Sequence, residues 1–199
     1  MSLPPFPAPL PSHRTFIAYV EDLPGVLNRI TSLLRRRNYN IASLTVGRTE
    51  RPGTSRMTIV VEADDDAARR IEANLYKLVN VLWVQDTTRA ATVIRELALL
   101  KVRTEASTRA EVMKLCDVFR ARVVDVGPEA LVAEITGTAD KIDGLVEVLA
   151  PFGVLEMVRT GAVAMVRSAE PAPSVHAALG PTSPDDGHDG HDDDDVKAA

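Results

Sequence analysis

The strongest constraint on this chain is its apolar spacing, which switches between period two and period 3.6 in a fixed order and then repeats that order once. Residues 15–21 (TFIAYVE) alternate, and after the turn DLPG the run VLNRITSLLRRR sets Val26, Leu27, Ile30, Leu33 and Leu34 on one helical face. Residues 41–49 (IASLTVGRT) and 56–63 (RMTIVVEA) flank the turn cluster ERPGTS and read as neighbouring strands joined by a loop. Asp64 to Asp66 then supply capping acids to a helix with Ala67, Ala68, Ile71, Leu75 and Leu78 inward, and VLWVQDT is a further strand. After Thr92 the order returns as RELALLKVRT, STRAEVMKLCDVFR, ARVVDVG, LVAEITG, ADKIDGLVEVLAPF and GVLEMVRT.

Strand, helix, strand, strand, helix, strand, at this length, is the split β-α-β module, an antiparallel sheet with both helices on one face. The expected class is therefore α+β, with two tandem ferredoxin-like domains at residues 14–88 and 95–168 joined by a linker at 89–94. Five of the 13 prolines (Pro4, Pro5, Pro7, Pro9 and Pro11) fall in the first dozen residues, which disfavours helix and predicts a flexible arm over 1–13. Residues 169–199, rich in Pro, Gly, His and Asp, have almost nothing to bury and are expected to be a disordered acidic tail.

The formal charge of -5 belongs to that tail: residues 170–199 hold eight of the 28 acids and, of the 23 bases, only Lys197. The remainder carries 22 bases and 20 acids, so nothing in it calls for nucleic acid or an anionic membrane as partner. No apolar run approaches the roughly 20 residues of a membrane span and the N-terminus is unlike a signal peptide, so a cytoplasmic location is expected. Cys116, the single cysteine, sits at helical spacing among apolar residues and reads as a buried structural thiol.

Catalytic machinery is not evident. His13, His176, His188 and His191 all lie outside the expected folded body, which argues against histidine acid/base or nucleophilic chemistry. No paired carboxylates stand out from a solvated surface, and neither a Walker loop nor a GxGxxG turn follows any strand. HDGHDDDD has metal-ligating side chains, but a flexible segment must lose conformational entropy to gather them, so a solvated tail is the favoured reading.

Two segments stand above this background. In Glu21-Asp22-Leu23-Pro24-Gly25-Val26-Leu27, Pro24 suits a helix start, and the amides of Gly25, Val26 and Leu27 are expected to lack intrahelical acceptors and to point at whatever lies above the helix. A carboxylate fits there, while the carboxylate of Asp22 could meet an ammonium group, so a zwitterion such as a free amino acid is suggested. The second segment, NYNIASLTVG over 38–47, has no charge and would form an edge strand, since a ferredoxin-like sheet has the strand order 4-1-3-2. Helix or loop could cover that edge, but antiparallel pairing with the same strand of a second copy is preferred, which would bring Asn40 near the partner's first helix.

VEDLPGVLNRITSLLRRRNYNIASLTVG, SRMTIVVEA and LYKLVNVLWV resemble the N-terminal ACT domain of acetohydroxyacid (acetolactate) synthase small subunits. RELALLKV, FRARVVDVGPEALVAEITG and the PFG before the last strand are similar to that family's C-terminal half, so the resemblance spans residues 14–168. It implies a non-catalytic regulatory subunit that dimerises through the ACT domain, activates a separate catalytic large subunit and confers feedback inhibition by valine. Thiamine diphosphate, magnesium and FAD would belong to that partner, none of them to this chain, and the reaction would condense two 2-oxo acids there. By position the effector site falls on Asp22, Gly25, Val26, Leu27, Asn40 and Ile41. Some members have Asn where this chain has Asp22, and an Asp favours an ammonium group over a carboxylate. Two other readings are a free-standing ACT sensor acting on transcription or another enzyme, and a small hydrolase on the same scaffold. The first lacks a basic helix-turn-helix and the second lacks a catalytic constellation.

Overall fold

Alternation along β1 (His13–Glu21) sends Phe16, Ala18 and Val20 to one side of a sheet and Ile17 and Tyr19 to the other. The computed structural model describes residues 13–168; the proline arm, the acidic tail and the three histidines of that tail fall outside the described residues. After β1 come α1 (Val26–Arg36), β2 (Ile41–Arg48), β3 (Thr54–Glu62), α2 (Asp65–Leu75) and β4 (Val81–Asp86). Their strands form an antiparallel sheet in the order β2-β3-β1-β4, as the ferredoxin-like reading requires.

Helices α1 and α2 cover one face of this sheet. Ile30 and Leu34 from α1 and Ile71 and Leu75 from α2 are fully buried against Phe16, Met57, Ile59 and Val61. Each such side chain removed from water contributes about 1.5–3 kcal/mol before entropy is counted. Asp64 caps α2, its carboxylate accepting the Ala67 amide at 2.7 Å, whereas α1 begins at Gly25 with no side-chain cap.

The second unit repeats the plan with β5 (Thr92–Arg103), α3 (Arg109–Val118), β6 (Arg122–Val126), β7 (Ala130–Gly137), α4 (Ala139–Leu149) and β8 (Val154–Arg159), in the sheet order β6-β7-β5-β8. Leu100, Ile135, Ile142 and Leu145 fill its core together with Cys116, which is buried as its helical setting requires. Among the described residues, no helix is long and apolar enough to cross a membrane.

Four details depart from the sequence reading. A ninth strand, β9 (Val163–Val166), pairs with the first four residues of β5, so strand begins at Thr92, inside the stretch 89–94 expected to be a linker. His13, expected outside the fold, is the first residue of β1 and pairs with Glu62, because β3 is long enough to extend the ladder to it. Leu27, expected inward, is exposed: it lies on the first turn of α1, where side chains lean back past the helix start rather than onto a following turn. Leu78 still packs on the core, but α2 ends at Leu75, so the turn after the helix carries it.

Candidate functional site

The connection from β1 to α1 is set by register. Glu21 pairs with Thr54 at the start of β3, so the next residue leaves the sheet beside the β2–β3 turn, and the Asp22 amide donates to the Gly53 carbonyl at 2.8 Å. The Asp22 carboxylate accepts the Ser55 hydroxyl at 3.1 Å and stands 3.5 Å from Nε of Arg48. A carboxylate offers about four lone-pair directions, so Asp22 keeps acceptor capacity for a further donor.

Gly25 adopts φ +85°, the left-handed region that side chains rarely occupy, and nothing lies within 4 Å of where its Cβ would stand. The helix start is therefore open above Gly25. Among the described residues, the amides of Gly25, Leu27 and Asn28 have no acceptor, while the Gly25 carbonyl takes the Arg29 amide at 3.0 Å. Val26 differs from expectation. Its amide reaches the Leu23 carbonyl at 3.4 Å, and its side chain is buried in the core, where it anchors the turn. The unpaired amides at the positive end of the α1 dipole form a cradle for a small anion. Leu23 and Leu27, both exposed, flank it along the chain.

Asn40 and Ile41 lie at the other end of α1. The helix has 11 residues, so about 16 Å of rise separates them from Gly25, and one chain does not bring the two halves of the expected site together. Asn40 donates through Nδ2 to Oε1 of Glu62 at 3.0 Å, and its carbonyl accepts the Glu62 amide at 3.2 Å, leaving the side-chain oxygen open. With Arg35, Asn38, Tyr39 and Ile41 it lines a cleft of about 490 Å³.

Sequence reasoning missed Asn28, which supplies a free amide, and Gly53, Ser55 and Arg48, which hold Asp22. The β1–β3 pairing implied by the strand order was the signal that could have placed Gly53 and Ser55 beside it. Groups with altered acidity lie elsewhere. Burial, then the nearby Asp117, pushes the Cys116 thiol up, and burial and Asp86 do the same for Glu72. Desolvation would raise the Asp65 carboxyl, but its hydrogen bond and ion pair with Arg14, together with Arg89, outweigh this and hold it below the ordinary range. Among the described residues, no group of three or more His, Cys, Asp or Glu side chains is placed to hold a metal ion.

Comparison with known proteins bears on both halves of the chain. Residues 16–83 match the family model described as the AHAS small subunit-like ACT domain, and residues 95–168 match that of the small subunit of acetolactate synthase. An acetolactate synthase small subunit of Mycobacterium leprae is 48% identical over 158 residues, covering 79% of this chain and 93% of that protein. A probable acetolactate synthase small subunit of Methanothermobacter thermautotrophicus is 45% identical over 158 residues, with 79% and 94% covered. The crystal structure of the acetolactate synthase small subunit from Thermotoga maritima superposes with a TM-score of 0.73 at 38% identity, covering 78% of this chain and 98% of that one.

Proposed function

This chain belongs to the family of acetolactate synthase small subunits, and we propose that it activates a separate catalytic large subunit and makes that enzyme sensitive to valine. Acetolactate synthesis, with its thiamine diphosphate, magnesium and FAD, takes place on the partner. Valine, from the branched-chain pathway the enzyme feeds, binds here.

The observation that carries this reading is the open start of α1. Gly25 in the left-handed conformation, with free amides at Gly25, Leu27 and Asn28, offers three donors to a carboxylate. The spare acceptor capacity of Asp22 suits the ammonium group, and exposed Leu23 and Leu27 suit an apolar side chain. Because Asn40 and Ile41 sit a helix length away, the site closes only when a second copy brings its own pair over this helix start. Edge strand β2, uncharged from Ile41 to Gly47, supplies the pairing surface in an antiparallel homodimer. The dimer, the ligand and the cradle are thus one hypothesis. The match over residues 95–168 favours it over a free-standing ACT sensor, since that half is the small-subunit domain.

The test is to mix the purified chain with the catalytic acetolactate synthase subunit from the same cell and follow acetolactate formation with and without valine. Stimulation by the chain, reversed by valine, is the expected result; an unchanged rate in both conditions overturns the proposal.

A further inference from the structure

Strand β9 belongs in sequence to the second domain, yet its backbone and that of Ala162 just before it are held by side chains of the first. The Ala162 amide donates to Oγ of Ser43 at 2.8 Å, and the Ala162 carbonyl accepts Oγ1 of Thr45 at 2.6 Å. Ser43 and Thr45 stand two apart on one face of β2, so together they grip both polar groups of a single residue. Two residues on, the Ala164 amide donates to Oγ1 of Thr58 at 3.4 Å and its carbonyl accepts the guanidinium of Arg56. Ala164 is fully buried in a cluster with Ile17 and Trp83. The approach depends on Gly161: a Cβ there would lie 2.3 Å from Oγ of Ser43, and its φ of +79° disfavours any side chain.

The gripping strand is also the one that carries Asn40 and Ile41. A register shift lies between Ile41, opposite Val61, and Ser43, opposite Val60. Without this bulge, Ile41 and Ser43 would share a face; with it, Ile41 packs against the first core and Ser43 turns to β9. On its far side β9 pairs with Thr92–Arg95 of β5, and β5 continues as an inner strand of the second sheet. A continuous set of hydrogen bonds thus runs from the edge proposed to receive the amino acid into the second sheet.

From this geometry we infer that the grip of Ser43 and Thr45 on Ala162 transmits effector binding to the second domain. The inference rests on the effector site proposed above. A ligand that fixes the start of β2 changes where Ser43 and Thr45 hold β9, and β9 passes the change to β5. Energetic coupling can be carried by hydrogen-bond networks with two discrete arrangements, and the grip joins side chains of the first domain to backbone of the second.

Two variants test it: Ser43→Ala with Thr45→Ala, which removes the grip while keeping the strand, and Gly161→Val, which drives the two segments apart. Valine binding to the full chain is measured by calorimetry, exchange of amide hydrogens in residues 161–166 with and without valine by mass spectrometry, and inhibition with the catalytic subunit present. In the unsubstituted chain valine should alter exchange in 161–166. In the double variant, valine affinity should stay within about twofold, while the effect of valine on the enzyme falls from the roughly 5- to 150-fold range of allosteric coupling to less than about twofold. The exchange response should vanish with it. Unimpaired inhibition in the double variant overturns the inference, as does loss of binding together with inhibition, which would make these residues part of the ligand site. If the unsubstituted chain binds valine but exchange in 161–166 is unmoved, this inference alone fails. If it binds no valine, the effector site fails and takes the inference with it. Gly161→Val guards against a silent double variant: should it fold, it must show the same uncoupling.

Discussion

The two domains share a βαββαβ topology and differ at the starts of their first helices and on their outer sheet faces. At the start of α1, Gly25 leaves three amides without acceptors. At the corresponding start of α3, Thr108 takes the place of the glycine, and the amides of Thr108 and Arg109 donate to Glu105 while those of Glu111 and Val112 donate to Thr108. Glu105 and Glu111 also place negative charge where an anion would have to approach. The outer sheet faces differ too. That of the first domain is occupied by β9, whereas that of the second leaves Leu99 and Val158 exposed beside Lys101 and Glu156. The helix start is thus open in one copy of the fold and hydrogen-bonded in the other, and a few residues make the difference.

Helix-start substitutions should break this comparison most sharply. Gly25→Asp adds a side chain in a strained conformation and a charge inside the proposed carboxylate cradle, so it should abolish valine inhibition while leaving activation by the subunit intact. Thr108→Asp alters the start of α3, where Thr108 makes no side-chain cap hydrogen bond, and should leave inhibition unchanged. Activity assays over a valine titration decide between them, and inhibition retained by Gly25→Asp would show that the cradle lies elsewhere.

Core truncations come next in size. Ile30 and Ile142 are both fully buried, one in each core, and changing either to Ala should cost about 2–5 kcal/mol in urea unfolding. Cys116 tells the two apart, since its thiol is buried and its acidity suppressed, so alkylation reports opening of the second domain only. Ile142→Ala should speed alkylation by roughly 30-fold or more, the equivalent of about 2 kcal/mol, and Ile30→Ala by less than about threefold. Equal acceleration would mean that the two cores open as one unit.

The sequence reveals the repeated order of elements because each strand and helix has its own apolar period, and a period needs no partner to be seen. β9 escapes this logic: four residues are too few to establish a period, and the surface that holds it lies on the other domain. The same holds within the candidate site. Pro24 and Gly25 mark an uncapped helix start by their backbone chemistry alone, but the partners of Asp22 come from residues 48–55 and depend on a strand register that local sequence does not encode. Leu27 is exposed for a related reason, since a helical face says which side a residue is on and not whether the sheet extends beneath the first turn.

Edge strands offer the smallest effect and the most direct contrast. Along β2 no charge appears until Arg48, whereas β6 places Arg122 and Asp125 within five residues, a composition that discourages a sheet edge from pairing. Val46 on β2 and Val124 on β6 are exposed to nearly the same degree, 45% and 44%, so they form a matched pair. If the first edge is the dimer surface, Val46→Lys buries an ammonium group in the pairing region of both copies and should weaken self-association by roughly tenfold or more, about 1.4 kcal/mol. Val124→Lys adds the same charge to an edge already blunted and should leave association unchanged. Sedimentation of the two variants over a concentration series reads the difference, and equal sedimentation would remove β2 from the dimer and leave Asn40 without a partner for the cradle at Gly25.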